Sequence, residues 1–565
     1  GEVLGESTVE LRVLDATDAA KPVPVPCRVT VLDAAGALRT VGADPAMRSK
    51  EEGGGARERD RLAVRPGVIY TGDGRARFGL PAGEYTIYAG RGFEYGIDKV
   101  KVSLKPGDVV RKELAIRREV PTPGYVACDP HIHSLTYSGH GDATIGERVL
   151  AIAGEGVELP VAAEHNLHAD YHPAAVARGV RRHFTPVVGN EVTTPVGHFN
   201  IFPVSADAPV PEHRAREWKP IFESIVLRTG AEVIILNHPR DLHSGFRPFG
   251  PEHHNAATGE NLDGWELRAG AMEVVNSGAQ QSDVLLPYRD WFALLNRGVF
   301  LTPVGASDSH DVARFIVGQG RTYVRCNDDD PGAIDVKEAV ASFRAGRVLV
   351  SCGLLAEITV NGEHGPGDLA PPSEEVRVAV RVLGPGWARA EKVELYANGR
   401  KIREAEIANG DRPGVKWEGE WKLPRFRHDV HLAAIATGPG VTELYWPIAK
   451  PYQPASPEAR RRVIGSTGAV WIDADGDGER TSAFAYARRL DQQHGKDTAA
   501  LIRELADYDG AVAAQAAGLL QARGVSVQDP EVRAAAAKAG GQVARGFQVF
   551  FEAWRESEIA RSRAR

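Results

Sequence analysis

Apolar and polar residues alternate along most of the first 119 positions of the chain. Segments such as "STVELRVLDA", "PCRVTVLDA" and "GEYTIYAG" show this period of two and are separated by Gly, Pro and Asp. Alternation of this kind is typical of strands that bury one face. Residues 1–119 are therefore predicted to form an all-β domain. The stretch 44–61, "DPAMRSKEEGGGARERDR", interrupts the pattern, and its charge and glycine content predict a mobile loop.

The pattern changes between residues 120 and 352. Short apolar runs alternate there with helix-like segments such as "IGERVLAIAGEGV" and "PYRDWFALLNRGV", which predicts βα units around a mostly parallel sheet. Period-two alternation returns in "EVRVAVRVLG" and "KVELYANGRKI", so residues 353–454 are predicted to form a second β-sandwich. Residues 455–565 are rich in Ala and Arg and have helical periodicity, which predicts a tail of packed helices. The overall expectation is a multidomain chain of α/β and all-β parts.

Histidine and carboxylate residues follow the apolar runs of the central region. "GYVACDP", "LPVAA", "TPVVGN", "AEVIILN" and "FLTPVGAS" all lead into His, Glu or Asp. Because the carboxyl ends of barrel strands meet at one mouth, we expect these side chains to converge. The nine candidate metal ligands are His131, His133, His140, His165, Glu191, His198, His238, Asp308 and His310.

These residue types match a particular chemistry. Imidazole and carboxylate are ligands for zinc, manganese or iron, and a carboxylate can bridge two ions. Two or three such ions together activate a water molecule and hold the oxygens of a phosphoryl or acyl centre. For the other histidines, a surface or packed position is the favoured interpretation. Four of them follow ligand-bearing runs and are also considered as pocket-lining groups: His168, His243, His253 and His254.

The order of the motifs gives a resemblance to a known family. H-x-H, a further His, "EHN", "GNEV", "GHFNIF", "NHP" and "SDSH" together resemble the PHP superfamily, named for polymerase and histidinol phosphatase domains. A β-sandwich before the catalytic domain resembles the CehA/McbA branch, which includes a carbaryl hydrolase. "LPAGEYTIYAG" resembles the prealbumin-like or carboxypeptidase-regulatory-like sandwich. The resemblance implies a distorted (β/α)7 barrel at 120–352, with two β-sandwich domains flanking it.

The same resemblance implies a centre of two or three divalent transition-metal ions, which are zinc, manganese or iron. The first ion would be held by His131, His133, Glu191 and Asp308. The second would be held by Glu191, as a bridge, together with His198 and His238. The third would be held by His140, His165 and His310. Glu164 stands where the family usually has Asp, which implies an adjusted environment around the neighbouring ligands.

The activity that follows from this centre is metal-dependent hydrolysis. A metal-bound hydroxide would attack a phosphate mono- or diester, with Glu191 and Asp308 at the catalytic centre. Arg240, and either Arg314 or Arg321, are candidates to bind an anionic substrate group, although a surface ion pair explains each of them equally well. One alternative is a carbamate or carboxylic ester hydrolase of the carbaryl-hydrolase type. Another is an inactive barrel that serves as a polymer- or surface-binding module.

Composition and missing motifs argue against several other classes of function. A net charge of −7 and a pI near 6.3 argue against general nucleic-acid binding, and no apolar run has transmembrane length. The four cysteines form no CxxC, and neither a P-loop lysine nor a G-x-S-x-G motif is present. Two sandwiches around an enzyme, and a start without Met, resemble exported bacterial proteins, so a periplasmic or secreted location is expected. Substrate identity and oligomeric state stay open.

One acidic loop is a candidate calcium site. "DADGDGE", at 473–479, matches the start of an EF-hand-type loop, with Asp473, Asp475 and Asp477 in place. The twelfth position is Phe484 rather than the bidentate Glu that such a loop requires. A solvated acidic turn is therefore the favoured interpretation.

Overall fold

The computed structural model describes residues 4–43, 61–452 and 459–564. The predicted mobile loop at 44–61 lies outside the described residues except for Arg61. The fold is of mixed α and β type, with several sheets and a helical C-terminal region, as expected. The domain boundaries stay predictions.

The N-terminal region is all-β over its described part. Its strands form two five-stranded sheets, in the orders β10-β1-β7-β4 with β2 beside β1, and β5-β6-β3-β8-β9. Val9, Val29 and Ile87 lie in one buried cluster between the sheets, which gives a sandwich-like arrangement. The strands are β1 (Ser7–Asp15), β2 (Val23–Pro24), β3 (Cys27–Asp33), β4 (Gly42–Ala43), β5 (Leu62–Arg65), β6 (Val68–Thr71), β7 (Arg75–Leu80), β8 (Gly83–Gly90), β9 (Asp98–Leu104) and β10 (Val109–Ile116).

The central region alternates strands and helices. Its strands are β11 (Tyr125–Ile132), β12 (Leu159–Ala162), β13 (Val187–Val188), β14 (Asn190–Thr194), β15 (Gly197–Phe202), β16 (Val233–Leu236), β17 (His254–Asn255), β18 (Glu260–Asn261), β19 (Ala271–Asn276), β20 (Thr302–Ala306), β21 (Arg321–Arg325) and β22 (Val348–Cys352). Its helices are α1 (Leu135–Ser138), α2 (Ile145–Gly154), α3 (His172–Ala177), α4 (Trp218–Thr229), α5 (Leu286–Arg297) and α6 (Val336–Arg344).

The strand directions in this region are mixed rather than mostly parallel as predicted. Strands β11, β12 and β13 run parallel, as do β16, β19 and β20. Strand β15 is antiparallel to both β14 and β16, and β14 and β15 form a hairpin because the two-residue connection at Pro195 and Val196 permits no other pairing. Two isolated parallel bridges, Ile132 to Ser309 and His165 to Glu191, link the two sets of strands at their ends.

The second β region continues the central sheet. Strand β22 pairs with β30, so one sheet of eleven strands runs from β13 to β27, whereas β23, β25 and β28 form a separate sheet. The strands are β23 (Leu355–Val360), β24 (Leu369–Ala370), β25 (Glu375–Gly384), β26 (Lys392–Ala397), β27 (Arg400–Glu406), β28 (Gly414–Pro424), β29 (Val430–Pro439), β30 (Arg462–Thr467) and β31 (Val470–Ile472). The last two strands lie where the tail is predicted to be helical, because "VIGSTGAVWI" is a short run with β-branched residues and a Trp before the Ala- and Arg-rich stretch.

The helical part of the tail begins at Ala483. Three of its helices start with a side-chain cap, from Ser482, Asp497 and Asp509, and its apolar residues form a cluster of their own. The helices are α7 (Ala483–His494), α8 (Thr498–Glu504), α9 (Gly510–Ala522), α10 (Pro530–Ala539) and α11 (Gly541–Ala564). Across the described part of the chain, no helix is long and apolar enough to span a membrane.

Candidate metal centre

The end of β11 places two histidines side by side. His131 and His133 are both fully buried, with ring centroids 4.9 Å apart. The Asp308 amide donates to the carbonyl of His131 at 3.0 Å, and the His133 amide donates to the carbonyl of Ser309 at 3.1 Å. The H-x-H pair is therefore attached through its main chain to the loop after β20.

Glu191, in β14, lies at the centre of the histidines. Its Oε1 is 3.2 Å from His131 Nε2, 3.0 Å from His198 Nδ1 and 3.5 Å from His238 Nε2. Its Oε2 is 3.6 Å from His133 Nε2 and 2.6 Å from His165 Nδ1. Each oxygen thus faces a different group of imidazoles, as a bridging carboxylate requires.

Asp308 closes the cluster from the loop after β20. Its Oδ1 is 3.3 Å from Nε2 of both His131 and His133 and 3.6 Å from His310 Nδ1. Asp308 and His238 also have positive φ angles of 52° and 22°. Left-handed backbone is unfavourable for residues with a side chain, and strain of this kind concentrates at functional sites.

The spacing of these atoms fits ligation by an ion. Two ligand atoms that each lie about 2.0–2.1 Å from a tetrahedral ion are about 3.4 Å apart. The contacts of His131 and His133 with Asp308 are close to that separation and longer than an ordinary hydrogen bond. His131 Nε2, His133 Nε2 and His310 Nε2 are buried, and they have no hydrogen-bond partner among the described residues. Buried polar atoms of this kind call for a ligand, and an ion would supply one.

The two carboxylates are held in their charged form. Burial by itself raises the pKa of Glu191, but the imidazoles around it, that of His198 first, hold it well below its usual range. Burial also raises the pKa of Asp308, but the surrounding histidines together, His131 first, hold it well below its usual range. The charge that bound cations would neutralise is therefore present at neutral pH.

The two histidines of β11 differ in their electrostatics. Burial lowers the pKa of His131, but the neighbouring carboxylates of Asp308, Glu273 and Glu191 together outweigh it, so that the pKa lies well above the usual value. The pKa of His133 lies well below the usual value because of burial and the neighbouring His310. A positive charge is thus favoured beside the carboxylates.

The proposed third group is only partly assembled as expected. Ligand atoms of His133, His165 and His310 lie within 4.8 Å of one another. The ring of His140 is 4.4 Å from that of His310 and 5.0 Å from that of His165, but the residue is exposed. The structure therefore brings His140 near the group without placing it among the ligand atoms.

A carboxylate that the sequence analysis did not single out supports the cluster. Glu273 Oε1 is 2.6 Å from His131 Nδ1, and its Oε2 accepts hydrogen bonds from the His238 amide at 2.7 Å and from Asn276 Nδ2 at 2.9 Å. It lies inside "AMEVVN", and a single charged residue in such an apolar run is the feature of the sequence that could have identified it as a candidate site residue.

His243, considered only as a pocket-lining residue, lies against two predicted ligands. Its ring centroid is 4.2 Å from that of His198 and 5.0 Å from that of His238. Ligand atoms of these three histidines lie within 4.8 Å of one another. Burial and the two neighbouring imidazoles lower the pKa of His243 to about 2. The position of His243 along the chain does not predict its contact with His198 and His238.

The unusual Glu164 is fully buried behind His133. It accepts hydrogen bonds from Ser134 Oγ at 2.6 Å, Ser138 Oγ at 2.5 Å and Tyr171 Oη at 2.6 Å. Ser138 Oγ is also 3.2 Å from His133 Nδ1. Glu164 therefore acts on the cluster through a hydroxyl, as outer partners of metal ligands do.

Two of the candidate arginines are paired with groups outside the proposed ligand set. Arg321 is 1% exposed, and its guanidinium donates to the carbonyls of Gly318 and Glu155, so it has no access to a substrate. Arg240 forms a paired contact with the buried Asp290, at 2.7 and 2.5 Å. Both are better explained as structural groups.

The cluster opens into a cleft of about 820 Å³. Apolar walls are supplied by Pro195, Leu242 and Phe315, and none of the described residues that line it is Arg or Lys. Arg314 is exposed and stacks on Phe315, 4.6 Å from the ring centroid. Tyr452, from the segment between β29 and β30, donates a hydrogen bond to Asp308 Oδ2 at 3.0 Å.

The acidic loop at 473–479 forms a second, separate group. Carboxylate oxygens of Asp429, Asp473, Asp475 and Asp477 lie within 4.8 Å of one another. Asp473 accepts hydrogen bonds from the amides of Gly476 at 2.7 Å and Gly478 at 3.0 Å, so the carboxylate stabilises the turn itself. Calcium binding stays untested, and the acidic turn remains the simpler interpretation.

Comparison with known proteins adds little. No family model matches the chain, and no curated protein matches it. Among solved structures, the minor pilin GBS52 of Streptococcus agalactiae is 17% identical over 21% of this chain, with a TM-score of 0.15. The match spans 46% of that pilin chain, and a likeness so small carries no argument.

Proposed function

We propose that the protein is a metal-dependent hydrolase of the PHP type that cleaves ester bonds. The observation that carries this is the convergence of His131, His133 and His238 on Glu191 and Asp308 at the base of one cleft. The two isolated bridges join the two sets of central strands at their ends. This supports a distorted seven-stranded barrel in which β13 and β14 together count as one strand. The resident ions are two or three divalent cations such as zinc, manganese or iron.

The chain's own groups have distinct roles in this proposal. Bound divalent cations activate water and neutralise charge on an ester oxygen. Glu191 and Asp308 hold the negative charge that retains such cations, and Glu273 orients the His131 ring. The positions of His131 and Asp308 are pinned through the main chain, which keeps reacting groups in one geometry.

The cleft favours a substrate that carries little charge. Arg240 and Arg321 are bound to other groups, and Arg314 stacks on Phe315 of the apolar wall without being among the residues that line the cleft. A dianionic phosphate monoester would need fixed cations for its second charge. Among phosphate esters, a diester is therefore the preferred substrate class.

The same lining favours a second candidate, hydrolysis of a carbamate or carboxylic ester. Such substrates are neutral, and the side chains of Pro195, Leu242 and Phe315 offer them apolar contact. The ligand set serves either reaction, because both need an activated water and stabilisation of a developing negative charge.

One panel of substrates distinguishes these functions. Metal-reconstituted protein is assayed with an aryl phosphate monoester, an aryl phosphate diester, an aryl acetate and an aryl carbamate. Turnover of the diester above the monoester is expected, and Asp308→Asn should abolish it. The control His253→Ala changes a histidine that pairs with Asp263, and it should keep full activity. Metal-loaded protein that turns over none of the four would contradict the proposal and favour a binding module.

A further inference from the structure

The loop after β16 folds back to return a third histidine to the centre. His243 and Phe246 exchange two main-chain hydrogen bonds, of 2.6 and 2.8 Å, across a tight turn. Ser244 within that turn has a φ of 49°. The turn fixes the His243 ring over His198 and His238, and it does so with a backbone conformation that is unfavourable for serine.

The His243 side chain is buried without an evident partner for one of its nitrogens. The residue is 5% exposed, and Nε2 has no hydrogen-bond partner among the described residues. A buried nitrogen without a partner is otherwise destabilising.

We propose that His198, His238 and His243, with Glu191 as fourth ligand, form a nitrogen-rich site that retains zinc in preference to manganese. The inference rests on the proposed function, because it concerns the second ion of that centre. Glu191 Oε1 is 3.0 Å from His198 Nδ1 and 3.5 Å from His238 Nε2, so one carboxylate oxygen contacts two of the three histidines.

The two halves of the centre then differ in chemistry. The neighbouring group of His131, His133, Glu191 and Asp308 offers two imidazoles and two carboxylates. Imidazole ligands favour zinc, whereas carboxylate oxygens suit manganese and magnesium. Three imidazoles and one carboxylate also complete a tetrahedral set, which is typical of a firmly held zinc ion. We therefore expect one retained zinc ion beside a more exchangeable ion.

Zinc affinity, rather than activity, tests this assignment. His243→Phe keeps a ring of similar size but has no lone pair to offer a metal, and His243→Gln is a smaller change. The matched control is His253→Phe, since His253 also packs on Phe246, at 4.0 Å, but faces Asp263. Each protein is stripped, loaded with zinc and manganese together, and titrated with a zinc chelator. Cobalt-loaded samples report coordination, because tetrahedral cobalt absorbs visible light far more strongly than six-coordinate cobalt.

The expected result is one zinc ion retained by the wild-type protein and lost from both His243 variants. Their affinity for that ion should fall about a hundredfold or more, since even outer partners of ligands are worth 10–100-fold. The visible absorption of the cobalt-loaded variants should weaken in parallel. The unfolding temperature of the metal-free His243 variants should match that of the metal-free His253→Phe control. Unchanged zinc retention in both variants, or a wild-type protein that takes up zinc and manganese equally, would overturn the inference but leave the proposed hydrolase. A wild-type protein that binds no ion would overturn both.

Discussion

Glu273→Gln is the substitution that tests the support of the centre most directly. The glutamate accepts at both oxygens: Oε1 faces His131 Nδ1 at 2.6 Å, and Oε2 receives the His238 amide and Asn276 Nδ2. A glutamine of the same shape has only one accepting oxygen. If that oxygen stays with the two donors, the amide NH2 faces His131 and forces its proton onto Nε2, the atom that would bind the ion. If the amide is flipped, its NH2 group faces the His238 amide and Asn276 Nδ2, which are both donors as well.

Either arrangement weakens metal binding without a large change of fold. Loss of a partner that orients a ligating histidine costs about 10–100-fold in metal affinity, which is about 1.4–2.7 kcal/mol. The measurement is chelator competition for zinc, read beside the unfolding temperature. Glu155→Gln is the matched control, because Glu155 is a buried glutamate that accepts a hydrogen bond from Tyr70 outside the cluster. Equal zinc affinity in both variants would refute the role of Glu273 and weaken the case for His131 as a ligand.

Three further predictions follow from the same geometry. Glu191→Gln should lower turnover by orders of magnitude, because one carboxylate serves both ion sites. The unfolding temperature of the β regions, measured by calorimetry, should stay nearly unchanged. Near wild-type turnover at full metal content would contradict this. His140→Ala should cost at most one ion and leave measurable activity, whereas His131→Ala should lose activity that added metal restores poorly; identical losses in metal count and rate would show that the sites are not separable. Tyr452→Phe removes a hydrogen bond to Asp308 from a side chain that is 42% exposed, so kcat should fall less than about tenfold, and a larger fall would give the phenol a direct catalytic role.

The fold was predictable where a segment's own pattern decides its structure. Strand alternation in the N-terminal region and helical periodicity after Ala483 are local properties, and the structure shows both. The pairing of β22 with β30 is not local, because it joins segments far apart in the chain, so the sequence suggested a separate sandwich where one sheet continues. The hairpin of β14 and β15 was hidden for another reason, since apolar runs do not report strand direction.

Some residues of the candidate site could likewise be predicted from their position along the chain, and others could not. His131 and His133, and then Asp308, follow apolar runs directly, so the rule that strand ends meet at one mouth was enough to group them. Arg321 follows the "SDSH" motif in sequence, yet its guanidinium donates to main-chain carbonyls, because closeness to a ligand along the chain does not determine where a long side chain points. His243 shows the reverse, since only the turn closed by Phe246 brings it to the centre.

The distribution of strained backbone adds a physical reason to treat the cluster as functional. Six residues other than glycine have positive φ among the described part of the chain, and four of them adjoin or belong to the centre: Asn166, His238, Ser244 and Asp308. Each such residue costs about 1–3 kcal/mol, which a fold tolerates only where surrounding contacts over-determine the conformation. At Asp308 and His238 those contacts are main-chain hydrogen bonds to His131 and Glu273. Without a cation, the same contacts would concentrate buried carboxylates and unpartnered imidazoles at a net cost, and a bound ion turns both into ligands.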